Sequence, residues 1–401
     1  MTITASACRG RAPQAAIAKA YEIPPGRFPA DDSLGMYRRI LHGALEEWGL
    51  RPSDVDGVFA PPAGIALGGP SELFTHEKLC EELGINVRVG ETISAGGATF
   101  SLMVQRAALL ITDGYADAIL CVGAGKFPDV GAGAAESMAR IVSHPDFEFI
   151  YGAFIPAIYA LAASQYMAET GASEYDLARV AVSARRWALR NPDAVMHCKG
   201  EISVDDVISS RPIASPFHLL DCSVPCEGGG AVLVTGVERA RQLARQPAYI
   251  LGFGEYHTHN CISQCRDLVR TGAGPASRQA FERAGITPAE IDMVQLYDAF
   301  SVNPLILLDD LGFTRRGQAA ALVNSGATDP GGALPMNTNG GLLSFGHTGD
   351  ASGMSVLVEG VRQVMGSAGA HQVDGIETTF VHTYGGMMAE HASLVLGRTA
   401  P

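Results

Sequence analysis

The chain has 401 residues, 47% hydrophobic and 18% charged, which suits two or three domains with sizeable cores and excludes a disordered or coiled-coil protein. Against 29 basic residues stand 42 acidic ones, and the net charge of −13 excludes a generic nucleic-acid-binding surface. The longest apolar run, 150–164, is broken by Pro156 and too short to span a bilayer, and residues 1–10 hold no apolar export core, so a cytoplasmic globular protein that does not engage membranes is expected.

In chain order, hydrophobic periodicity predicts a helix at 33–48, a strand at 57–60, a helix at 100–111 and a strand at 118–122. Helices at 158–169 and 174–191 follow, then a strand at 231–234, a helix at 274–284 and a strand at 293–296. A helix at 354–365 and strands at 377–382 and 393–397 end the series. Strands alternating with helices predict α/β layers around a mostly parallel sheet.

One internal repeat stands out. Gly49-Leu50-Arg51-Pro52-Ser53-Asp54-Val55-Asp56-Gly57-Val58 resembles Gly285-Ile286-Thr287-Pro288-Ala289-Glu290-Ile291-Asp292-Met293-Val294. Each copy offers a helix-ending Gly, a Pro that opens a turn, an acidic residue, and an Asp before an apolar strand. Downstream of each comes a Gly-rich turn leading into an apolar helix: Ser94-Ala95-Gly96-Gly97-Ala98 in the first, Gly346 to Gly353 in the second. The economical reading is a duplicated α/β half with two helix N-termini meeting near a pseudo-twofold axis.

Two such helix starts would point unpaired N–H groups and positive dipole ends at an oxyanion or enolate. Gly96, Gly97, Gly346, Gly385 and Gly386 would let backbone approach a ligand closely. Ser94 stands either as a nucleophile or as an ordinary helix N-cap. His347, in the second turn, is a candidate acid/base or a structural hydrogen-bonder. Tyr297 and Asp298 end the 293–296 strand, where α/β ligand sites form; Tyr297 is either an oxyanion donor or a rim aromatic. A third polar turn, His382-Thr383-Tyr384-Gly385-Gly386, returns to the same sheet end.

The eight Cys are scattered singly, and neither Cys222/Cys226 nor Cys261/Cys265 forms a C-x-x-C pair. His257, His259, Cys261 and Cys265 carry ligand types that suit zinc, but at the spacing of no zinc knuckle; a pocket-lining loop after a strand end at Gly252–Gly254 is the preferred reading, with no metal site.

Taken in order, Ser94 to Gly97, Leu219 to Ala231, Tyr297 to Phe300, Asn339 to Gly341, Gly346 to Gly353 and Tyr384 to Gly386 make the chain resemble the thiolase superfamily over nearly its full length. It is most similar to the branch of sterol carrier protein x and the nonspecific lipid-transfer thiolases. The resemblance implies a five-layer αβαβα sandwich of two similar halves, 1–245 and 246–401, with a loop domain inserted at 126–210. It further implies a homodimer and acyl-CoA substrates, with coenzyme A as substrate or product and no permanently bound cofactor.

The departures from the family pattern carry as much weight. The family's nucleophilic Cys aligns with Ser94, or with Ile93 in a register shifted by one, the family's Asn-Glu-Ala-Phe or His-Asp-Cys-Phe motif becomes Tyr297-Asp298-Ala299-Phe300, and its Cys-x-Gly falls around His382 to Tyr384. Only His347 survives from the Gly-His-Pro motif. A Ser hydroxyl is far less acidic than a thiol and needs an adjacent base. What remains suits retro-aldol cleavage of a β-hydroxyacyl thioester, the chemistry of the Cys-less side-chain aldolases in this branch, which are often complexed with a small OB-fold partner. Those relatives carry Tyr at the position of His347. Acyl transfer through Ser94, and a weakly active subunit or lipid-binding protein that scaffolds an OB-fold partner, are the alternative readings.

Overall fold

The strand Gly57–Ala60 is buried along its whole length, and its side chains alternate between two cores. Val58 and Ala60 belong to one apolar cluster and Phe59 to another, so helices must cover both faces of the sheet it joins. The computed structural model describes residues 14–64, 72–127, 134–152 and 154–400. Cys8 and the 128–133 part of the expected loop domain lie outside them.

The first part of the chain supplies β1 (Ala15–Gly26), α1 (Ser33–Trp48), β2 (Gly57–Ala60), α2 (Thr75–Leu83), β3 (Val89–Thr92), α3 (Thr99–Thr112) and β4 (Ala118–Gly125). Then come α4 (Ala134–Val142), α5 (Ile155–Thr170), α6 (Glu174–Ala188), α7 (Val204–Ile208), the small hairpin of β5 (Pro212–Ala214) and β6 (Phe217–His218), β7 (Glu227–Gly236) and α8 (Val237–Leu243). The remainder holds β8 (Ala248–His257), α9 (Ala273–Ala284), β9 (Met293–Leu296), α10 (Val302–Asp310), α11 (Ala319–Asn324), α12 (Gly341–Ser344), α13 (Ser352–Met365), β10 (Thr378–Gly385) and β11 (Glu390–Gly397).

Nine strands run in the order β3-β2-β4-β7-β1-β8-β11-β10-β9. The order is a duplication folded about the β1–β8 join, which rests on the pairs Ala16↔Tyr249 and Ile17↔Ala248. Outward from that join, β1, β7, β4 and β2 correspond to β8, β11, β10 and β9. Directions correspond too, since β2–β4 and β9–β10 are parallel while β4–β7 and β10–β11 are antiparallel. Even β3 has a remnant: Met336 makes a lone parallel bridge to Val294, as β3 pairs with β2.

The repeated sequence explains the repeated structure. Gly49 and Gly285 cap α1 and α9 in the left-handed conformation, and each is followed by a 3-10 turn opened by Pro52 or Pro288. Asp56 then accepts the Ala118 N–H at 2.8 Å, fixing the start of β4. Asp292 accepts the Thr378 N–H at 2.8 Å and fixes β10 in the same way.

The layers follow from where the apolar faces go. Helix α1 covers the outer face of the first sheet half, α9 that of the second, and α3 and α13 lie between them, touching each other and strands of both halves. Residues Ser352 to Val361 of α13 are all buried, as a central layer requires. The result is the five-layer αβαβα arrangement. No described helix is long and apolar enough to cross a membrane.

Two expectations need correction. The sheet is mixed, with three parallel and five antiparallel pairings among the described strands. A four-residue turn between β10 and β11 is too short for a crossover and forces an antiparallel pair. Gly252 and Gly254 are not a strand-end loop but sit inside β8, where a Cβ would lie 2.1 Å from the Ala280 and Ala276 carbonyl oxygens of α9.

Reciprocal glycine contacts fix the two halves to each other. A Cβ on Gly125, at the end of β4, would lie 1.6 Å from the Thr348 carbonyl oxygen before the α13 turn. One on Gly385, at the end of β10, would lie 1.8 Å from the Ala95 carbonyl oxygen before the α3 turn. Each half's middle strand therefore ends against the other half's helix start. Backbone cannot yield as a flexible side chain can, so Gly125→Ala and Gly385→Ala should each cost about 3 kcal/mol or more. Gly114→Ala meets nothing within 4 Å and should cost only the left-handed strain, about 1 kcal/mol. Urea unfolding midpoints check this, and equal losses at the three positions would contradict it.

Candidate active site

The glycine contacts bring three turns together at the sheet ends. In the first, Gly97 lies under the ring of Tyr297: a Cβ there would be 2.3 Å from Cε2. Gly96 packs its backbone on Gly385 and Gly386, and Gly353 of α13 packs on the Gly97 carbonyl. Side chains are excluded from all of these positions, so the backbone of both helix starts stays in contact.

Tyr297 is the first residue past β9, and its N–H continues the ladder to the His382 carbonyl at 3.0 Å. Its hydroxyl is held between Ser352 Oγ at 2.7 Å and His347 Nε2 at 3.1 Å. Ser352 opens α13, so the second helix start supplies one end of this line. His347 is pinned by backbone bonds on both sides: its N–H donates to Val224 O at 2.7 Å and its carbonyl accepts from Cys226 N at 3.0 Å. The segment leading into β7 thus carries a residue of the other half.

Burial sets the protonation states. The Tyr297 hydroxyl is pushed up to about 12, chiefly by desolvation, and so stays protonated near neutrality. His347 retains some exposed surface, yet its Nδ1 is buried and desolvation holds the ring down to about 4. A neutral imidazole that accepts the Tyr297 proton at Nε2 carries its own on Nδ1, and that atom has no hydrogen-bond partner among the described residues. Phe127 closes over the ring edge-on at 5.6 Å.

Tyr384 joins this cluster through its ring, which meets that of Tyr297 at 4.8 Å and 64°. Its buried hydroxyl makes no well-aligned hydrogen bond among the described residues, and burial holds its pKa well above 10, with Tyr159 beside it adding to the rise. Tyr159, on α5, reaches in from the inserted region to donate to the Gly386 carbonyl at 3.1 Å.

Other expected site residues lie elsewhere. His382 is fully buried and both its nitrogens are engaged, with Ser393 Oγ at 2.8 Å and His391 Nδ1 at 3.1 Å. It shares a face of β10 with Tyr384 two residues on, but its ring is held by Ser393 and His391 and makes no hydrogen bond to Tyr297 or His347. Asp298 accepts the Leu342 N–H at 2.7 Å through Oδ1 and anchors the start of α12; its Oδ2 is buried with no hydrogen-bond partner among the described residues, and burial pushes the carboxyl up to about 7. Gly346 is needed for packing, since a Cβ would lie 2.5 Å from Cys226 Sγ, and it leaves no room for a ligand.

Ser94 is exposed and hydrogen-bonds to no described residue. It is not a helix cap either. Neither start there has a side-chain cap; Thr99 instead ties the turn together, its Oγ1 accepting from Ala95 N at 2.9 Å and donating to Gly96 O at 2.7 Å. Cys226, near the site, has its thiol pushed up to about 12 by burial and is inert as a nucleophile. In the 257–265 loop, His257 pairs with Glu390, His259 faces Met387 O at 3.2 Å and Cys265 donates to Asp267 O. Among the described residues no three His, Cys, Asp or Glu converge as a metal cage.

Two participants were hidden in the sequence. Ser352 looks like any helix-opening Ser, although it lies in the Gly-His-Thr-Gly-Asp-Ala-Ser turn, and Tyr159 is one aromatic among several in the inserted region.

Residues 254–398 match the thiolase C-terminal domain-like family. An acetyl-CoA acetyltransferase of Methanothermobacter thermautotrophicus is 30% identical over 345 residues, 86% of this chain and 89% of that one. A steroid side-chain-cleaving aldolase of Thermomonospora curvata is 33% identical over 352 residues, 81% and 83% of the respective chains. Among solved structures, an Ltp2–ChsH2(DUF35) aldolase is 29% identical and superposes with a TM-score of 0.83 over 96% of this chain and 97% of its own. With its duplicated five-layer fold, its Gly-lined meeting of helix starts and relatives along most of its length, the chain belongs to the thiolase superfamily, in the sterol carrier protein x branch.

Proposed function

We propose that this enzyme cleaves a carbon–carbon bond of β-hydroxyacyl-CoA thioesters by a retro-aldol reaction, with no acyl-enzyme. The observation that carries this reading is the hydrogen-bonded line Ser352–Tyr297–His347, set beside a nucleophile turn that holds no Cys. The aldolase relative and the aldolase structural neighbour support it.

Tyr297 Oη has one proton and two lone pairs. The proton goes to His347 Nε2, one lone pair takes the Ser352 hydroxyl, and the other is left for the substrate's β-hydroxyl. As Tyr297 accepts that proton it passes its own to His347, which is neutral at working pH and able to receive it. The β-oxygen becomes a carbonyl as the Cα–Cβ bond breaks, and the bonding pair moves onto the thioester as an enolate. Backbone N–H groups of Gly96 and Gly97 and of the 385–386 turn, with the Nδ1–H of His347, offer the donors for that enolate. Tyr384, protonated throughout the neutral range, returns a proton to the α-carbon, and the proton left on His347 is released to solvent as the Tyr384 phenolate takes one up, restoring both neutral groups. The products are an aldehyde or ketone and a shortened acyl-CoA.

Acyl transfer through Ser94 finds no support, since no base among the described residues hydrogen-bonds to it. The duplication supports division of the chain into halves 1–245 and 246–401, with the inserted 126–210 region, which brings Tyr159 to the site, selecting the acyl group. The aldolase neighbour, whose name includes a ChsH2(DUF35) component, supports a partner protein, which we take to be the small OB-fold partner; a homodimer, and coenzyme A entering and leaving only as part of substrate and product, complete the proposal.

Incubation with a β-hydroxyacyl-CoA should release an aldehyde or ketone and the shortened acyl-CoA, while acetoacetyl-CoA with free coenzyme A should be cleaved poorly or not at all. Tyr297→Phe should lower kcat by roughly 10²–10⁴-fold, and Ser94→Ala should leave it within about twofold of wild type, because an exposed hydroxyl with no base contributes nothing to the step. Ser94-dependent thiolysis as the main activity would sink the proposal. The pH profile gives a second test. Burial favours neutral His347, so the competent form persists as pH falls and is lost only near 4, while Tyr297 stays protonated up to about 12. The rate should hold level from about pH 6 to 9, and an acid limb near 6.5, as for an unperturbed His, would contradict the assignment.

A further inference from the structure

The turn Gly385–Ala389 between β10 and β11 is held by its carbonyls, one donor at a time. Ala389 N closes the turn on Gly385 O at 3.0 Å. Tyr159 Oη, from α5, donates to Gly386 O at 3.1 Å, and His259 Nε2, from the loop after β8, stands 3.2 Å from Met387 O. His391 Nε2, from β11, is 2.8 Å from Met388 O, and Thr258 gives both its N–H and its hydroxyl to Ala389 O. Five successive carbonyls are thus taken, four of them by groups from other elements. A surface turn would leave most of them to water.

The bond to Met388 fixes more than itself. A carbonyl only accepts, so His391 carries its proton on Nε2, and a neutral His391 must then accept at Nδ1. His382 Nε2, 3.1 Å away, is therefore the donor, and its Nδ1 accepts from Ser393 Oγ at 2.8 Å. The chain Ser393→His382→His391→Met388 O has a single direction. It ends on Met388, whose φ is +57°, a left-handed conformation that a Met side chain disfavours. That conformation keeps Gly385 and Gly386 against Gly96 and Ala95, with Tyr384 immediately before them.

We propose that His391, oriented by His382, and Tyr159 are positioning residues that clamp this turn and so hold Tyr384 and the Gly385–Gly386 backbone in place for the reaction. The inference rests on the carbon–carbon lyase reading for its kinetic effect and on hydrogen-bond direction alone for the clamp. Neither His touches the reacting atoms. Their effect passes through the turn.

The test combines one spectroscopic and one kinetic arm on the full chain. Long-range ¹H–¹⁵N correlation spectra of ¹⁵N-His-labelled wild type should show both His382 and His391 as Nε2–H tautomers at neutral pH. An Nδ1–H tautomer at His391 overturns the clamp whatever the enzyme's activity. In the kinetic arm, His391→Leu should lower kcat on a β-hydroxyacyl-CoA by 10–100-fold with KM changed less than threefold. His391→Gln, whose amide donates from a similar position, should regain at least a third of wild-type kcat. Met388→Gly in the His391→Leu background should regain at least fivefold, because Gly takes the positive φ without the hydrogen bond. Tyr159→Phe, which loses only the hydroxyl, should lower kcat about fivefold and serves if His391→Leu does not fold. An unchanged kcat in a folded His391→Leu, or a loss that neither Gln nor Gly restores, overturns the proposal. If wild type turns over no β-hydroxyacyl-CoA, the lyase reading fails while the tautomer spectra still decide the clamp.

Discussion

Everything at the site depends on two places where backbone meets backbone across the pseudo-twofold axis. Gly125 lies against the Thr348 carbonyl and Gly385 against the Ala95 carbonyl, each closer than a Cβ would allow. These contacts set the starts of α3 and α13 side by side, and from that follows the placement of Tyr297 over Gly97, of Ser352 against Tyr297, and of His347 on the lead-in to β7. A duplicated fold could have kept two equivalent sites. Here the halves have diverged, so that one composite site draws Tyr297, His347, Ser352 and Tyr384 from the second half and the floor of glycines from the first.

The second consequence of this packing is desolvation. Side chains sunk between five layers are held in their neutral forms: His347 down to about 4, Tyr297 up to about 12, His382 well below its usual range. A neutral imidazole beside a neutral phenol is a proton-transfer pair without a net charge to stabilise at rest. The chemistry assigned to the site creates charge only during turnover, in the enolate and the transition state that leads to it, where oriented N–H donors act most strongly in a dry setting. A thiolate nucleophile would instead need its charge stabilised, and at Cys226 burial outweighs the Arg27 charge and pushes the thiol up to about 12.

Much of this was legible in the residues, and the failures have physical causes. The 49–58 and 285–294 repeat gave the duplication because its Gly caps, Pro turns and strand-fixing Asp residues act locally. Strand direction was misjudged because it depends on connection length rather than on pattern. Both strands at the join escaped notice: β1 opens Ala-rich and ends in Pro24-Pro25, and β8 carries the glycines that α9 demands. Among the candidate site residues, Tyr297, His347 and Tyr384, which the structure brings together, were legible as polar groups past a strand end or beside a Gly-rich turn. His382 and Asp298 shared those motifs, but His382 is tied to Ser393 and His391 and Asp298 to the start of α12, partners that no local pattern reveals. Ser352 and Tyr159 carry no local signal, since what defines them is contact across some 55 and 227 residues of chain.

The central claim is that Tyr297 and His347 act as one proton-transferring unit. A double-mutant cycle with Tyr297→Phe, His347→Ala and the pair, read as kcat on a β-hydroxyacyl-CoA, tests it most directly. The account predicts that the double variant loses no more than the worse single variant, because either change breaks the same transfer. Losses that multiply would show two independent contributions and would contradict it.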